Sequence, residues 1–393
     1  MIDSTYCIKL LVVTFFVLGL PSCATRPVPF DDAAKNLANN LLREVQIKSL
    51  LTSSGEVQKL VMDDFTDEDT GEVVAAGEAI ETIIFAEAKE NFRSFSLSKM
   101  DTKNIRYADY LINGVIALER LDRKNDTKFY HVFASVTDLK TGKVIANTAS
   151  WISDKDLDYT PLREYQDAPM FMADKRHKSK VKTARSSSGI PADGEYYNSL
   201  ETNALLAEAS SAYGKGNYRQ VILMLDEAST RDDGQVMKTY AGLYQAHLKE
   251  NNIKAAEEAF GKLVGVSVQN DSLSVKLLFR VDSTDFILDN KLRSRYRIWL
   301  RQISKFFNAE DSCAKIIGHS SHTGTAEYNN HLSKKRADAV QRNMLSYYRS
   351  IKQKTETYGL GFSENIKGLG TDDGRDAIDR RVEFKIVDCS DLS

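Results

Sequence analysis

The sequence predicts an α+β multidomain protein with an N-terminal α/β sandwich, a middle pair of helical repeats and a C-terminal βαβαββ mixed sheet with helices on one face. Three observations predict it. At 393 residues the chain exceeds what one hydrophobic core usually serves, so two or three domains are expected. Helical and period-two strand patterns alternate up to about residue 153, whereas helical spacing alone runs from 196 to 268. Beyond residue 270 strands and long helices alternate again, the mark of a mixed sheet. The net charge of −2 provides no excess of cations to displace counterions from phosphates, so no nucleic-acid partner is expected.

Residues 1–23 stand apart: Lys9 precedes an apolar run from Leu10 to Leu20, then Pro21, Ser22 and Cys23. The run is too short to span a bilayer, which needs about 20 apolar residues. It has the shape of a secretory signal segment. Leu20-Pro21-Ser22-Cys23 resembles a bacterial lipobox, which implies acylation of Cys23. With Ala24 rather than Asp after the cysteine, the resemblance implies sorting to the outer membrane, facing the periplasm.

Residues 31–155 form the first domain. Asp31 or Asp32 caps a helix whose Ala34, Leu37, Leu41, Leu42 and Val45 share one face. A short strand over 57–65 ends in acidic residues, and Ala75 to Asn91 reads as a helix. Strands from Lys128 and from Lys143 are joined by a turn at Thr141-Gly142. Asp63, Asp64, Asp67, Glu68 and Asp69 read as a solvated loop, since they lack EF-hand spacing. The strand ending at Asp63-Asp64-Phe65, the phrase Ala108 to Gly114, and Asp138 with Thr141-Gly142-Lys143 resemble the FlgO, CsgG and LpoB type of envelope lipoprotein domain. That resemblance implies partner contacts and no catalytic site.

Residues 156–195 lose periodicity and gather six Lys or Arg between Lys175 and Arg185, the composition of a flexible basic linker. Residues 196–268 then hold two units at a period of 34 to 35, Gly216 answering to Asn251 and Val221 to Ala256. The period resembles tetratricopeptide repeats, and implies either a peptide groove or a helical spacer. Two units fall short of a free-standing array, so this part should lean on a neighbour.

Residues 270–393 carry two separated motifs, GHSSHTGTAEYNNHLSKKRADAV from Gly318 and GRDAIDRRVEFKIV from Gly374. They resemble the OmpA C-terminal family, non-covalent peptidoglycan-binding domains of the cell envelope. The resemblance implies an OmpA-like fold and a site for the diaminopimelate stem peptide, whose ammonium and carboxylate share one carbon. A guanidinium suits that carboxylate because it presents two parallel donors. Carried over, that role falls to Arg336, with Asn329 and Leu332 near the ligand backbone, Thr323 and Gly324 in the loop, and Asp282 at the mouth. Where the family places an Asp for the amine, this chain has Ser321. The lost charge-assisted bond is worth about 1.5–3 kcal/mol, so weakened wall binding is expected.

Cys313 opens one strand and Cys389 closes another, so in an oxidising compartment either a disulfide or two separate thiols is open, with the bridge favoured. His319, His322 and His331 lie close in sequence, but no Cys or carboxylate stands at zinc spacing, so no metal is expected. Nothing resembles a nucleophile with its base or a phosphate loop, so neither cofactor nor enzymatic activity is expected. The combined reading is an outer-membrane lipoprotein that binds peptidoglycan and scaffolds a flagellar or secretion-type assembly. An envelope protein partner would meet the repeats or the N-terminal domain. The alternative is an activator of a peptidoglycan synthase.

Overall fold

The computed structural model describes residues 26–50, 56–122, 127–155, 157–280, 283–287, 289–365 and 379–392. Cys23 and Asp282 lie outside the described residues. The described residues mix helices with two sheets. In the first part, α1 (Phe30–Leu50) and α2 (Ala75–Asn91) alternate with β1 (Gln58–Asp67), β2 (Phe95–Lys99), β3 (Tyr110–Arg120), β4 (Lys128–Asp138) and β5 (Lys143–Ile152). The strands form one sheet in the order β2-β1-β3-β4-β5, parallel on either side of β1 and antiparallel from β3 to β5. Helix α1 buries Leu37, Leu41, Leu42 and Val45 against Leu60, Ile112, Val132 and Ile152, so the apolar stripe seen in the sequence meets one face of the sheet.

The opposite face is covered by the segment expected to be a linker, and two expectations are corrected together. Residues 157–199 hold α3 (Arg163–Asp167), α4 (Lys175–Ala184) and α5 (Gly194–Tyr197). The Asp174 carboxylate caps α4 by accepting from His177 N at 3.0 Å. Asn113 Nδ2 donates to Lys180 O at 3.2 Å, and Ser135 Oγ donates to Thr183 O at 3.0 Å. The cations in and just after α4 find acids in and beside the sheet: Lys180 Nζ lies 2.9 Å from Asp63 of β1, and Arg185 pairs with Glu68, just past β1, and with Glu119 of β3 while stacking on the Phe133 ring. Asp63 and Asp67 are therefore buried in a strand, not solvated in a loop. Burial pushes the Asp63 carboxyl up, but Lys180 and the Tyr196 hydroxyl, 2.7 Å away, outweigh it and hold the group below its ordinary value.

The same segment pairs with the rest of the chain at isolated bridges, Val74 with Pro161, Lys143 with Pro191 and Met170 with Val275. Four helices follow, α6 (Leu200–Gly214), α7 (Tyr218–Ser229), α8 (Met237–Lys249) and α9 (Ile253–Gln269). They form two hairpins, and the turns at Gly216 (φ 78°) and Asn251 (φ 58°) share a left-handed backbone 35 residues apart.

The last part runs β6 (Leu273–Val275), α10 (Asn290–Ala309), β7 (Cys313–Gly318), α11 (Ala326–Leu345), β8 (Thr355–Gly359) and β9 (Val382–Val387), the βαβαββ order read from the sequence. Its sheet is mixed, β6-β9-β7-β8, with β7 and β8 parallel. Strand β6 ends at Val275, and further along Phe279 bridges Phe286. Cys313 and Cys389 form a disulfide with Cα atoms 5.1 Å apart.

Helix α10 serves two parts at once. Trp299 is buried, stacks on Phe260 of α9 at 6.1 Å between centroids, and donates its indole N–H to Tyr244 of α8 at 2.6 Å. One hydrophobic core thus runs from the helical hairpins into the final sheet.

Replacing Lys180 by Ala would leave the Asp63 carboxylate buried without its charge partner. The expected cost is about 3–5 kcal/mol in chemical denaturation. Adding Asp63→Asn should recover part of that loss, and a pair of strictly additive losses would show that the two groups are not coupled.

Candidate functional site

Strand β7 and helix α11 build the site. Both Gly318, at the end of β7, and Gly359, its register partner on β8, let α11 lie directly on the sheet. A Cβ on Gly318 would stand 2.0 Å from Ser333 O, and one on Gly359 would stand 2.3 Å from Lys334 N. These glycines are required by close approach, not by an unusual φ. After β7 the chain passes through His319, Ser320 and Ser321, all buried, and emerges at His322, Thr323 and Gly324. Gly324 has φ 96°, a conformation an L side chain rarely adopts, and here the chain turns into α11. Thr325 caps that helix by accepting from Tyr328 N at 3.3 Å.

Asn329 stiffens the loop, its Nδ2 donating to Thr323 O at 2.8 Å and Thr325 O at 3.1 Å. Leu332 is half-buried one turn along the helix. Ser333 Oγ accepts from Gly361 N at 2.9 Å, and Ser320 N donates to Gly361 O at 2.8 Å, so the loop after β8 is tied to both helix and β7 loop. Arg336 lies two turns beyond Asn329 on the same side of α11. It is 2% exposed. Its Nε donates to Ser283 O at 3.2 Å and its Nη2 to Arg280 O at 3.3 Å, and the guanidinium carbon sits 5.1 Å from the centre of the Phe279 ring. In this structure the guanidinium therefore lies under the segment leading into α10, with main-chain carbonyls holding two of its donors.

A second buried network stands beside the loop. His319 is fully buried, 3.5 Å from Glu383 of β9, which also pairs with Arg381. Arg381 Nη2 donates to Glu364 O at 3.0 Å, and Asp379 stands 3.8 Å from Nη1. Burial pushes the Glu383 carboxyl up, but His319 and the Arg381 guanidinium overcome this and bring it down to about 2. Glu383 was not among the residues singled out from the sequence, although it is visible there as the acid of Arg380-Arg381-Val382-Glu383.

The structure brings Asn329, Thr323, Gly324 and the loop containing Ser321 together, and places Arg336 on the same helix as Asn329. Among the described residues no group of three His, Cys, Asp or Glu could hold a metal ion.

With that geometry stands a sequence match: residues 279–378 fit the model of the OmpA family. They are an OmpA family domain. Solved structures similar to the chain include the peptidoglycan-associated lipoprotein from Burkholderia pseudomallei, 26% identical, covering 30% of this chain and 91% of that one, with a TM-score of 0.25. The OmpA-like domain of FopA1 from Francisella tularensis subsp. tularensis SCHU S4 is 25% identical, covering 28% and 68%, with a TM-score of 0.23. The LpoB C-terminal domain from Salmonella enterica is 14% identical, covering 32% and 100%, with a TM-score of 0.22. No curated protein matches the chain. Within the OmpA family domain, the carry-over places Arg336, Asn329 and Ser321 on the elements just described.

Glu383 yields a pH prediction. Its folded pKa is depressed, so its stabilising contribution is present above the ordinary carboxylate range and is lost as pH falls through 4.5 toward about 2. The contribution is at most on the order of 3 kcal/mol. Acid unfolding of Glu383→Gln should be flatter over that window than that of the parent, as followed by tyrosine and tryptophan fluorescence; identical acid limbs would remove Glu383 from the account.

Proposed function

We propose that the protein binds peptidoglycan non-covalently through its OmpA family domain and anchors an envelope assembly from the periplasmic face of the outer membrane. The observation that carries this reading is the OmpA family match over 279–378, with Arg336 in the family's guanidinium position on a helix braced by Asn329. Arg336 takes the stem-peptide carboxylate, exchanging the carbonyls of Arg280 and Ser283 for an ionised acceptor, which forms the stronger bond. Ser321 offers the diaminopimelate ammonium a hydroxyl acceptor in place of a carboxylate. Thr323 and Gly324 shape the rim, Leu332 supplies apolar contact, and Asp282 serves at the mouth.

Acylation at Cys23 supplies the lipid anchor. Each buried CH₂ contributes about 0.8 kcal/mol, so two or more chains hold firmly. The N-terminal domain and the tetratricopeptide-like hairpins offer the surfaces for an envelope protein partner, a scaffold role without catalysis.

Because Trp299 shares its core with α8 and α9, wall binding is best measured on the chain from residue 24 onward, not on the last domain alone. In co-sedimentation with purified sacculi, Arg336→Ala should lose at least about tenfold in affinity, the value of one charge-assisted contact. Ser321→Asp should gain about tenfold or more by restoring the ammonium's counter-charge. Parental binding by Arg336→Ala would refute the site.

A further inference from the structure

Helices α10 and α11 leave between them an open groove of about 370 Å³, away from the loop of Ser321. Its walls include the apolar side chains of Phe286, Tyr296 and Leu300, and its rim carries Arg293, Arg297 and Arg342, all exposed. The other arginines of α10 are neutralised within the chain: Arg301 pairs with Glu257 at 2.6 Å and Arg295 stands 3.8 Å from Asp167. Arg293 and Arg297 have no such partner among the described residues, Arg342 lies within electrostatic reach of Asp338 one turn back on α11, and the one carboxylate lining the groove is the exposed Asp285.

Arg293 and Arg297 are a like-charge pair at i,i+4, which costs helix stability. Arg342, in the last turn of α11, is favoured by the helix dipole, so its charge has a local reason. The α10 pair has no such reason among the described residues. Three guanidinium groups converging on one concave site match a group with several acceptor oxygens and more than one negative charge. The apolar wall beneath them accommodates the body to which such a group is attached.

We propose that the groove between α10 and α11 binds a multiply charged phosphate group, carried either by a soluble phosphate ester or by an anionic lipid headgroup. The site is distinct from the one around Arg336 and does not rest on wall binding. Three guanidinium groups clamp the phosphate oxygens, Asn343 adds a neutral donor, and Asp285 sets a limit on the charge that the groove holds.

Inorganic diphosphate is the probe. In titration calorimetry at low salt it should bind the chain from residue 24 onward, and Arg293→Gln/Arg297→Gln should weaken it by about tenfold or more. Arg293→Lys/Arg297→Lys keeps the charge and should retain most of the binding, which separates lost charge from lost folding. Lys305→Gln removes an exposed cation from the same helix and should leave the affinity unchanged. Flotation with phosphatidylcholine vesicles, with and without phosphatidic acid, assigns the source: selective flotation with phosphatidic acid assigns a lipid headgroup, and its absence alongside diphosphate binding assigns a soluble ester. The proposal fails if diphosphate does not bind, if Lys305→Gln costs as much as the double glutamine variant, or if tetraglutamate binds as tightly as diphosphate.

Discussion

The arrangement of the first two parts rests on one buried ion pair, Lys180 with Asp63. Removing two charges from water is expensive, and the attraction between them compensates only when the remaining polar atoms are satisfied. Here they are: Tyr196 donates to Asp63, and Lys180 also donates to the main-chain oxygen of Asp64. The pair lies where α4 crosses the sheet, so it fixes the second covering layer of the N-terminal domain. It also fixes the start of the helical hairpins, because Tyr196 and Leu200 belong to the same apolar cluster as Val61 and Leu111. From α4 the chain is constrained in both directions, back through the Met170–Val275 bridge and forward into α6. A segment with little core of its own thereby becomes the seam that joins the other parts.

This interaction also explains which features were legible in the sequence. Amphipathic stripes such as Leu37, Leu41 and Leu42 report local periodicity, and the helices they announce are present. The order of strands and helices after residue 270 was legible for the same reason. The acidic run at 63–69 and the basic run at 175–185 were each read as solvated, because composition treats a charge as exposed until a partner is known. Their partners lie more than a hundred positions away, Lys180 from Asp63 and Arg185 from Glu68. Two misreadings were thus two halves of one contact. Strand β6 is short for a different reason: Leu277, Leu278 and Phe279 have the apolar look of a strand, yet they are spent on packing against Tyr296 and on seating Arg336.

At the candidate site the residue types were legible and their environment was not. The spacing of Asn329, Ser333 and Arg336 on one helix face follows from helical geometry, and the glycines that bring that helix onto the sheet stand at 318 and 359. The sequence held no sign that Arg336 would be held by the main-chain carbonyls of Arg280 and Ser283. Burial of a guanidinium is tolerated because its planar donors are met by carbonyls and its face by an aromatic ring. The guanidinium is pre-organised in that it is already desolvated; under the proposed reading a ligand carboxylate takes the place of the two carbonyls and does not have to strip water from a free arginine.

Pre-organisation bears on the role of Ser321 under the proposed reading. A hydroxyl cannot balance an ammonium, so the contact to the amine has one ionised partner in place of two and loses the attraction between opposite charges. The carboxylate contact at Arg336 is unaffected by that exchange in kind. Discrimination therefore shifts from the zwitterion toward its acid half, and stem peptides that differ at the amine should be separated less sharply than by a domain with Asp at this position. A tethered protein tolerates such a weak site. When the anchor confines the chain within reach of the wall, the effective concentration of wall sites is in the millimolar range, about the value for a short flexible tether. A site with a dissociation constant of that order is half occupied without any further contact, so loss of the aspartate is compatible with an anchoring role provided that the lipid anchor is present.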